Sequence, residues 1–69
     1  MDNPTSSRNL FDLTGKVAVI SGAAQGLGKA TSLAVAQAGA NVVLVDRNIS
    51  GLEATADLIR KMGRKALVS

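Results

Sequence analysis

The stretch over residues 16–29, KVAVISGAAQGLGK, constrains the fold of this chain more than any other. Four aliphatic residues lead to Ser21, three glycines follow, and an alanine-rich segment comes next, which predicts a strand, a glycine loop and a helix. The glycines are Gly22, Gly26 and Gly28. Because such a loop exposes backbone N–H groups beside a helix N-terminus, it favours a phosphate group. The stretch therefore predicts a dinucleotide pyrophosphate site.

The rest of the chain continues the alternation of strands and helices. The expected elements are strands over residues 16–21, 41–46 and 65–69 and a first helix over residues 26–38. A capping box of Ser50 and Glu53 predicts the start of the second helix. Gly39 and Gly63 are expected to end the two helices. The order β-α-β-α-β is the unit from which doubly wound parallel sheets are made.

Each predicted helix has an apolar stripe that should face the sheet. The stripes are Leu27, Ala30, Ala34 and Ala38 with Val35 beside them, and Leu52, Ala56, Ile59 and Met62. The unbroken aliphatic run of the first strand predicts cover on both faces of the sheet. Right-handed crossovers, however, place both helices on one face, so the other face is expected to be bare. A bare apolar face predicts that this sequence is the front piece of a longer chain.

Composition limits the alternatives. The chain has 69 residues and contains neither cysteine nor histidine, which predicts at most one small domain and no metal site. The net charge is +3. Arg60, Lys61, Arg64 and Lys65 cluster at the expected end of the second helix, where cations complement the helix dipole. Because no aromatic residue lies near them, no nucleic-acid surface is predicted.

Residues 1–9 are polar and lack apolar periodicity, so they are expected to form a disordered lead-in. The domain that follows, over residues 10–69, is expected to be a truncated N-terminal part of a dinucleotide-binding domain, with Phe11 anchoring the arm to the sheet. The sequence shows neither the apolar stretch of a secretory signal nor the roughly 20 apolar residues of a membrane span. We therefore expect a cytoplasmic protein with no membrane partner.

The glycine loop, in its strand and helix context, resembles the start of the short-chain dehydrogenase/reductase family. The family motif Thr-Gly-x-x-x-Gly-x-Gly is matched by Ser21, Gly22, Gly26 and Gly28, with serine in place of threonine. Thr31 stands where the general Gly-x-Gly-x-x-Gly motif has its third glycine, which favours this family over other dinucleotide-binding dehydrogenases. The resemblance implies a Rossmann-type α/β fold, a doubly wound parallel sheet of which the first β-α-β-α-β portion is present.

The resemblance also implies a nicotinamide dinucleotide as cofactor. Asp46, at the end of the second strand, has the spacing of the acid that binds the ribose hydroxyls and would repel the 2′-phosphate of NADP. NAD is therefore expected rather than NADP, and the uncharged Gln25 points the same way. Arg47 could instead pair with a 2′-phosphate or stack on adenine. The expected cofactor-binding residues are Ser21, Gly22, Ala24, Gln25, Gly26, Leu27, Gly28, Asp46 and Arg47, with the Leu27 N–H as a phosphate donor.

The activity that the resemblance implies is hydride transfer between the cofactor and a small alcohol or carbonyl substrate. The family uses a Tyr-x-x-x-Lys pair and a serine for this chemistry, and the chain contains no tyrosine, so no catalytic residue is assigned. The full-length protein is expected to be a homo-oligomer. Two alternatives stay open: a non-catalytic dinucleotide-binding protein or truncated inactive product, and an S-adenosylmethionine methyltransferase, which also combines a glycine loop with an acid after its second strand.

Overall fold

The computed structural model describes residues 12–69, which form three strands and two helices. The strands are β1 (Val17–Ser21), β2 (Asn41–Val45) and β3 (Ala66–Val68), and the helices are α1 (Gly26–Gln37) and α2 (Ile49–Lys61). The predicted β-α-β-α-β order is confirmed. The lead-in over residues 1–9 and the anchoring role of Phe11 lie outside the described residues.

The three strands form a parallel sheet in which β2 lies between β1 and β3. Ser21 at the end of β1 pairs with Val45 at the end of β2. Because the two strands end together, the glycine loop that follows β1 and Asp46, which follows β2, lie at the same carboxyl edge of the sheet. This is the edge at which ligands bind in open α/β folds.

Both helices pack on one face of the sheet. Val42 and Leu44 of β2 share a single buried core with Ala36 of α1 and Ile59 of α2. The shared core confirms that both crossovers run on the same side, as right-handed connections require. The stripe predicted for α2 is also confirmed, with Met62 half-buried at its end.

The stripe predicted for α1 is wrong for most of its members, although Val35 is half-buried and packs against the core. Its exposed members are Leu27, Ala30 and Ala34. The buried side of α1 instead contains Ser32 and Ala36, which continue the helical spacing of Gly28. Small apolar residues lie on several sides of this helix, so the sequence pattern does not select one face strongly. The fully buried positions hold small side chains, which allow a close approach to the sheet, and the larger Leu33 and Val35 are half-buried beside them.

The other face of the sheet is bare in residues 12–69. Val17, Val19 and Leu67 expose 66%, 68% and 67% of their surface. The cover on both faces that the aliphatic run of β1 predicted is therefore wrong for the described chain. The bare face expected from the handedness of the crossovers is confirmed.

Both helices end at the predicted glycines. Gly39 and Gly63 have φ angles of +112° and +84°, in the region that favours glycine at the end of a helix. Among residues 12–69, neither helix combines the length and the apolar character that crossing a bilayer requires.

The start of α2 differs from the prediction. Asn48 is the N-cap, and its Oδ1 accepts a hydrogen bond of 3.0 Å from the Gly51 N–H. The Ser50 hydroxyl donates to the same Oδ1 at 3.1 Å. The capping box of Ser50 and Glu53 is wrong because an asparagine two residues earlier already caps the helix.

The basic cluster after α2 takes part in the fold. Arg60 Nη2 donates to the carbonyl of Ala66 at 2.8 Å, and Arg64 Nε donates to the carbonyl of Ala36 at 3.1 Å. The second contact places a cation near the C-terminal end of α1, where the helix dipole is negative. Two of the four cations in the cluster therefore stabilise element ends.

Candidate functional site

The loop between β1 and α1 has a buried part and an exposed part. Ala23 and Ala24, here called the loop anchor, expose 0% and 8% of their surface. Gln25, Gly26 and Leu27, here called the loop tip, are exposed, and Leu27 exposes 83%. The loop thus hides its first half and presents its second half at the carboxyl edge of the sheet.

Two glycines set the path of the loop. Gly22 turns the chain out of β1 with a φ angle of +68°, in the left-handed region that side chains disfavour. At Gly28 a Cβ would overlap the Gly22 carbonyl oxygen and would lie 2.6 Å from its carbon and 3.1 Å from the Ser21 oxygen. The start of α1 therefore rests directly on the backbone at the end of β1.

The loop anchor is held by β2, Asp46 and α2. The Ala23 N–H donates to the Val45 carbonyl at 3.2 Å, and the Ala24 N–H donates to Asp46 Oδ2 at 3.1 Å. The Thr55 hydroxyl, from α2, donates to the Ala23 carbonyl at 3.0 Å. The Ala23 N–H, the Ala23 carbonyl and the Ala24 N–H are therefore each hydrogen-bonded to a different part of the fold.

Helix α2 also touches the loop anchor through its first turn. A Cβ built on Gly51 would lie 2.8 Å from Ala24 Cβ and 2.9 Å from Asn48 Nδ2. Only a glycine lets α2 approach the loop this closely without a shift of its neighbours.

The carboxylate of Asp46 bridges the loop and the start of α2. Its Oδ1 accepts from the Asn48 N–H at 3.0 Å, and its Oδ2 accepts from Ala24. Hydrogen bonds from the Asn48 and Ala24 N–H groups lower the pKa of Asp46 below its ordinary value of 3.8, so the half-buried carboxylate is ionised at neutral pH. An ionised carboxylate has about four acceptor positions. Acceptor positions that the backbone does not use remain for hydroxyl donors of a ligand.

The N-terminus of α1 is open to an anion. Its N-cap, Gln25, is extended and makes no side-chain capping bond, and the first turn contains no acidic residue. The first N–H groups of a helix have no partner within it, and they carry the positive end of the helix dipole. The N–H groups of Gly26, Leu27 and Gly28 can therefore bind a phosphate beside a carboxylate that can accept sugar hydroxyls. This set of donors and acceptors matches the phosphate and sugar hydroxyl groups of a dinucleotide.

The structure gathers the predicted site residues at one edge of the sheet. Asp46 contacts Ala24, and Gly28 packs on Gly22. Arg47 lies directly after Asp46 with an exposed side chain. Within residues 12–69, no group of three or more His, Cys, Asp or Glu side chains is placed to hold a metal ion.

Sequence reasoning missed three residues that shape this site. They are Ala23, Asn48 and Thr55. The signal for Thr55 was a polar residue between Leu52 and Ile59 on the buried stripe of α2, where it is fully buried. A buried hydroxyl has to find a hydrogen-bond partner, and here the partner is the loop.

Comparisons with known proteins agree with this geometry. Residues 16–69 match the family model described as short chain dehydrogenase. An uncharacterized oxidoreductase of Mycobacterium tuberculosis is 52% identical over 58 residues, which are 84% of this chain and 22% of that protein.

Two solved structures resemble the whole β-α-β-α-β unit. A short-chain type dehydrogenase/reductase from Mycobacterium marinum has a TM-score of 0.81 and 48% identity, over 87% of this chain and 24% of that one. Carveol dehydrogenase from Mycobacterium avium, solved in complex with NAD, has a TM-score of 0.77 and 33% identity, over 84% of this chain and 25% of that one. The chain spans about a quarter of the length of these relatives.

Proposed function

Because this chain belongs to the short chain dehydrogenase family, we propose that it forms the cofactor-binding part of an oxidoreductase that uses NAD in preference to NADP. The expected family and the Rossmann-type fold are confirmed by the match over residues 16–69 and by the similar structures. This membership argues against the methyltransferase alternative. The proposed reaction is hydride transfer between the cofactor and an alcohol or carbonyl substrate. The bound cofactor would supply the hydride donor or acceptor.

The observation that carries the proposal is the carboxylate of Asp46 beside the open N-terminus of α1. Two backbone N–H groups fix this carboxylate and keep it ionised. Ribose hydroxyls would donate to its remaining acceptor positions, whereas the 2′-phosphate of NADP would be repelled. The similarity to carveol dehydrogenase, which was solved with NAD, supports this preference.

The other proposed contacts use the backbone of the loop tip. The N–H groups of Gly26, Leu27 and Gly28 would hold the pyrophosphate, with the helix dipole adding to the attraction. Gln25 brings no positive charge to the loop tip. Arg47 is the exposed cation beside Asp46 and would oppose the preference for NAD if it paired with a 2′-phosphate.

Calorimetric titration of the intact protein with NAD and NADP tests this proposal. Hydrogen bonds to a charged group are worth about 1.5–3 kcal/mol, so we expect NAD to bind roughly tenfold to a hundredfold more tightly than NADP. Asp46→Ala should remove most of this difference, and Arg47→Ala, as the matched control, should keep it. Tighter binding of NADP than of NAD by the wild type would contradict the preference.

The remaining expectations stay predictions. Binding of NAD without turnover of any alcohol or carbonyl would favour the non-catalytic alternative. The homo-oligomer and the cytoplasmic location are tested by the solution mass of the intact protein and by cell fractionation.

A further inference from the structure

One peptide group of the glycine loop is bound on both sides by side chains. The peptide that joins Ala23 to Ala24 presents its carbonyl oxygen to the Thr55 hydroxyl at 3.0 Å and its N–H to Asp46 Oδ2 at 3.1 Å. The two side chains come from different parts of the fold, since Thr55 lies within α2 and Asp46 follows β2. Rotation of this peptide would break both hydrogen bonds.

Thr55 is placed to act on the loop as well as on its own helix. Its hydroxyl also lies 3.2 Å from the Gly51 carbonyl, the i−4 contact that threonine often makes inside a helix. The contact with Ala23 is shorter, fully buried and spans 32 residues of sequence. Apart from bonds within helices and strands, the Thr55 hydroxyl is the one donor within residues 12–69 that bonds to the Ala23 carbonyl.

A loop with three glycines needs such a restraint. Gly22 and Gly26 both have positive φ angles, no neighbouring atom lies within 4 Å of the place where a Cβ would be, and as glycines they have no side chain that limits rotation of the backbone. Donors that are fixed before the ligand arrives bind it more tightly than donors that must be ordered on binding. The loop anchor lies directly before the N–H groups of the loop tip.

We propose that Thr55 is a positioning residue for the cofactor pyrophosphate. Its hydroxyl, acting together with Asp46, fixes the Ala23–Ala24 peptide and so holds the N–H groups of the loop tip in the orientation that receives phosphate. This inference rests on the proposed function, because it assigns Thr55 to the same dinucleotide site.

The test separates the hydroxyl of Thr55 from its shape. Thr55→Val in the intact protein removes the hydroxyl and keeps the volume, whereas Thr55→Ser keeps the hydroxyl and removes a methyl group. Ile59→Val, in the buried stripe of the same helix, is the control for a loss of core packing alone. NAD and ADP-ribose, which contain the pyrophosphate, are titrated by calorimetry, and adenosine, which lacks it, by NMR.

We expect Thr55→Val to bind NAD and ADP-ribose about tenfold more weakly than the wild type, with adenosine binding unchanged. Thr55→Ser and Ile59→Val should bind all three like the wild type. The role of Thr55 is overturned if Thr55→Val binds ADP-ribose normally, if adenosine binding falls equally, or if Thr55→Ser is weakened as much as Thr55→Val.

Failure of the wild type to bind NAD or ADP-ribose would overturn the proposed function, and this role of Thr55 with it. Should Thr55→Val not fold, Thr55→Ala removes the same hydroxyl without any packing conflict. Thr55→Ala should then bind ADP-ribose more weakly than Thr55→Ser does, while the two variants bind adenosine equally. Equal binding of ADP-ribose by the two variants would overturn the role of Thr55.

Discussion

The loop anchor and the loop tip are neighbours in sequence, but they use their backbone groups in different ways. In the loop anchor, β2, Asp46 and α2 bind the polar groups from Ala23 N to Ala24 N, and both alanine side chains are buried. In the loop tip, no side chain within residues 12–69 caps the helix that begins there, and Leu27 is exposed. One half of the loop is committed to the fold, and the other half is available to a ligand.

The loop anchor should therefore contribute to the stability of the fold, and the loop tip, only a few residues away, mainly to cofactor binding. A change in the loop anchor disturbs buried hydrogen bonds and should affect the free energy of unfolding as well as cofactor affinity. A change in the side chains of the loop tip removes little packing and should affect affinity alone. The following predictions test this separation in the intact protein.

The largest effect is expected from Gly28→Ala, at the point where the start of α1 rests on the end of β1. The new methyl group would overlap the backbone carbonyl of Gly22, and a backbone group cannot move aside as a flexible side chain can. We expect a loss of about 1–3 kcal/mol in the free energy of unfolding, toward the upper end for overpacking, and loss of measurable NAD binding. Urea denaturation and calorimetric titration measure the two effects.

The matched control for this change is Gly63→Ala. Gly63 follows the end of α2 with a φ angle of +84°, and nothing lies within 4 Å of a Cβ placed there. A side chain in this conformation costs roughly 1–2 kcal/mol, and we expect NAD affinity to remain at the wild-type level. Equal loss of NAD binding in both variants would show that Gly28 acts through global stability and not through the loop.

An intermediate effect, confined to binding, is expected from Leu27→Asp. The side chain of Leu27 is exposed, and a carboxylate in the first turn of α1 interacts favourably with the helix dipole by about 0.3–1 kcal/mol. The same negative charge would repel the cofactor phosphates by about 1 to 4 kcal/mol at 4 Å, depending on the local dielectric constant. The unfolding midpoint should therefore stay or rise while NAD affinity falls about tenfold.

Leu27→Ala controls for the loss of the leucine side chain and should leave NAD affinity within about twofold of the wild type, since the proposed donor is the backbone N–H. If Leu27→Asp bound NAD as tightly as Leu27→Ala, the loop tip would not be the phosphate site. If Leu27→Asp were strongly destabilised, the separation between the two halves of the loop would fail.

The parts of this site that could be predicted from sequence are those that depend on local rules. The glycine pattern predicts a loop between the first strand and the first helix, and Asp46 is predicted at the end of the second strand. Helix α2 has a clear apolar stripe, so its buried face is predicted correctly. These features can be predicted without knowing which helices and strands are in contact.

The parts that were missed depend on contacts between distant residues. The face of α1 is decided by how closely Gly28 approaches β1, because its alanines give no strong preference for one side. Thr55 has no local signature beyond being a polar residue on a buried stripe, and its partner Ala23 is 32 residues away. Long-range hydrogen bonds of this kind are set by the packed structure and have no spacing rule in the sequence.

The smallest effect is expected at the start of α2, where Asn48 is the observed N-cap and Ser50 the predicted one. Asn48→Ala removes the acceptor for the Gly51 N–H and should cost about 1 kcal/mol in the free energy of unfolding. Ser50→Ala removes only an exposed hydroxyl donor and should stay within about 0.5 kcal/mol of the wild type. Urea denaturation of the two variants distinguishes the observed cap from the predicted capping box.

Cofactor affinity links this last prediction to the loop. The Asn48 N–H that donates to Asp46 Oδ1 belongs to the backbone, so Asn48→Ala retains it. If the N-cap and the Asp46 carboxylate act independently, NAD should bind to Asn48→Ala within about twofold of the wild type, despite the loss of stability. A drop in NAD affinity comparable to that of Asp46→Ala would instead mean that the first turn of α2 holds the carboxylate in place. The anchored region of the site would then extend from Ala23 and Ala24 into the start of that helix.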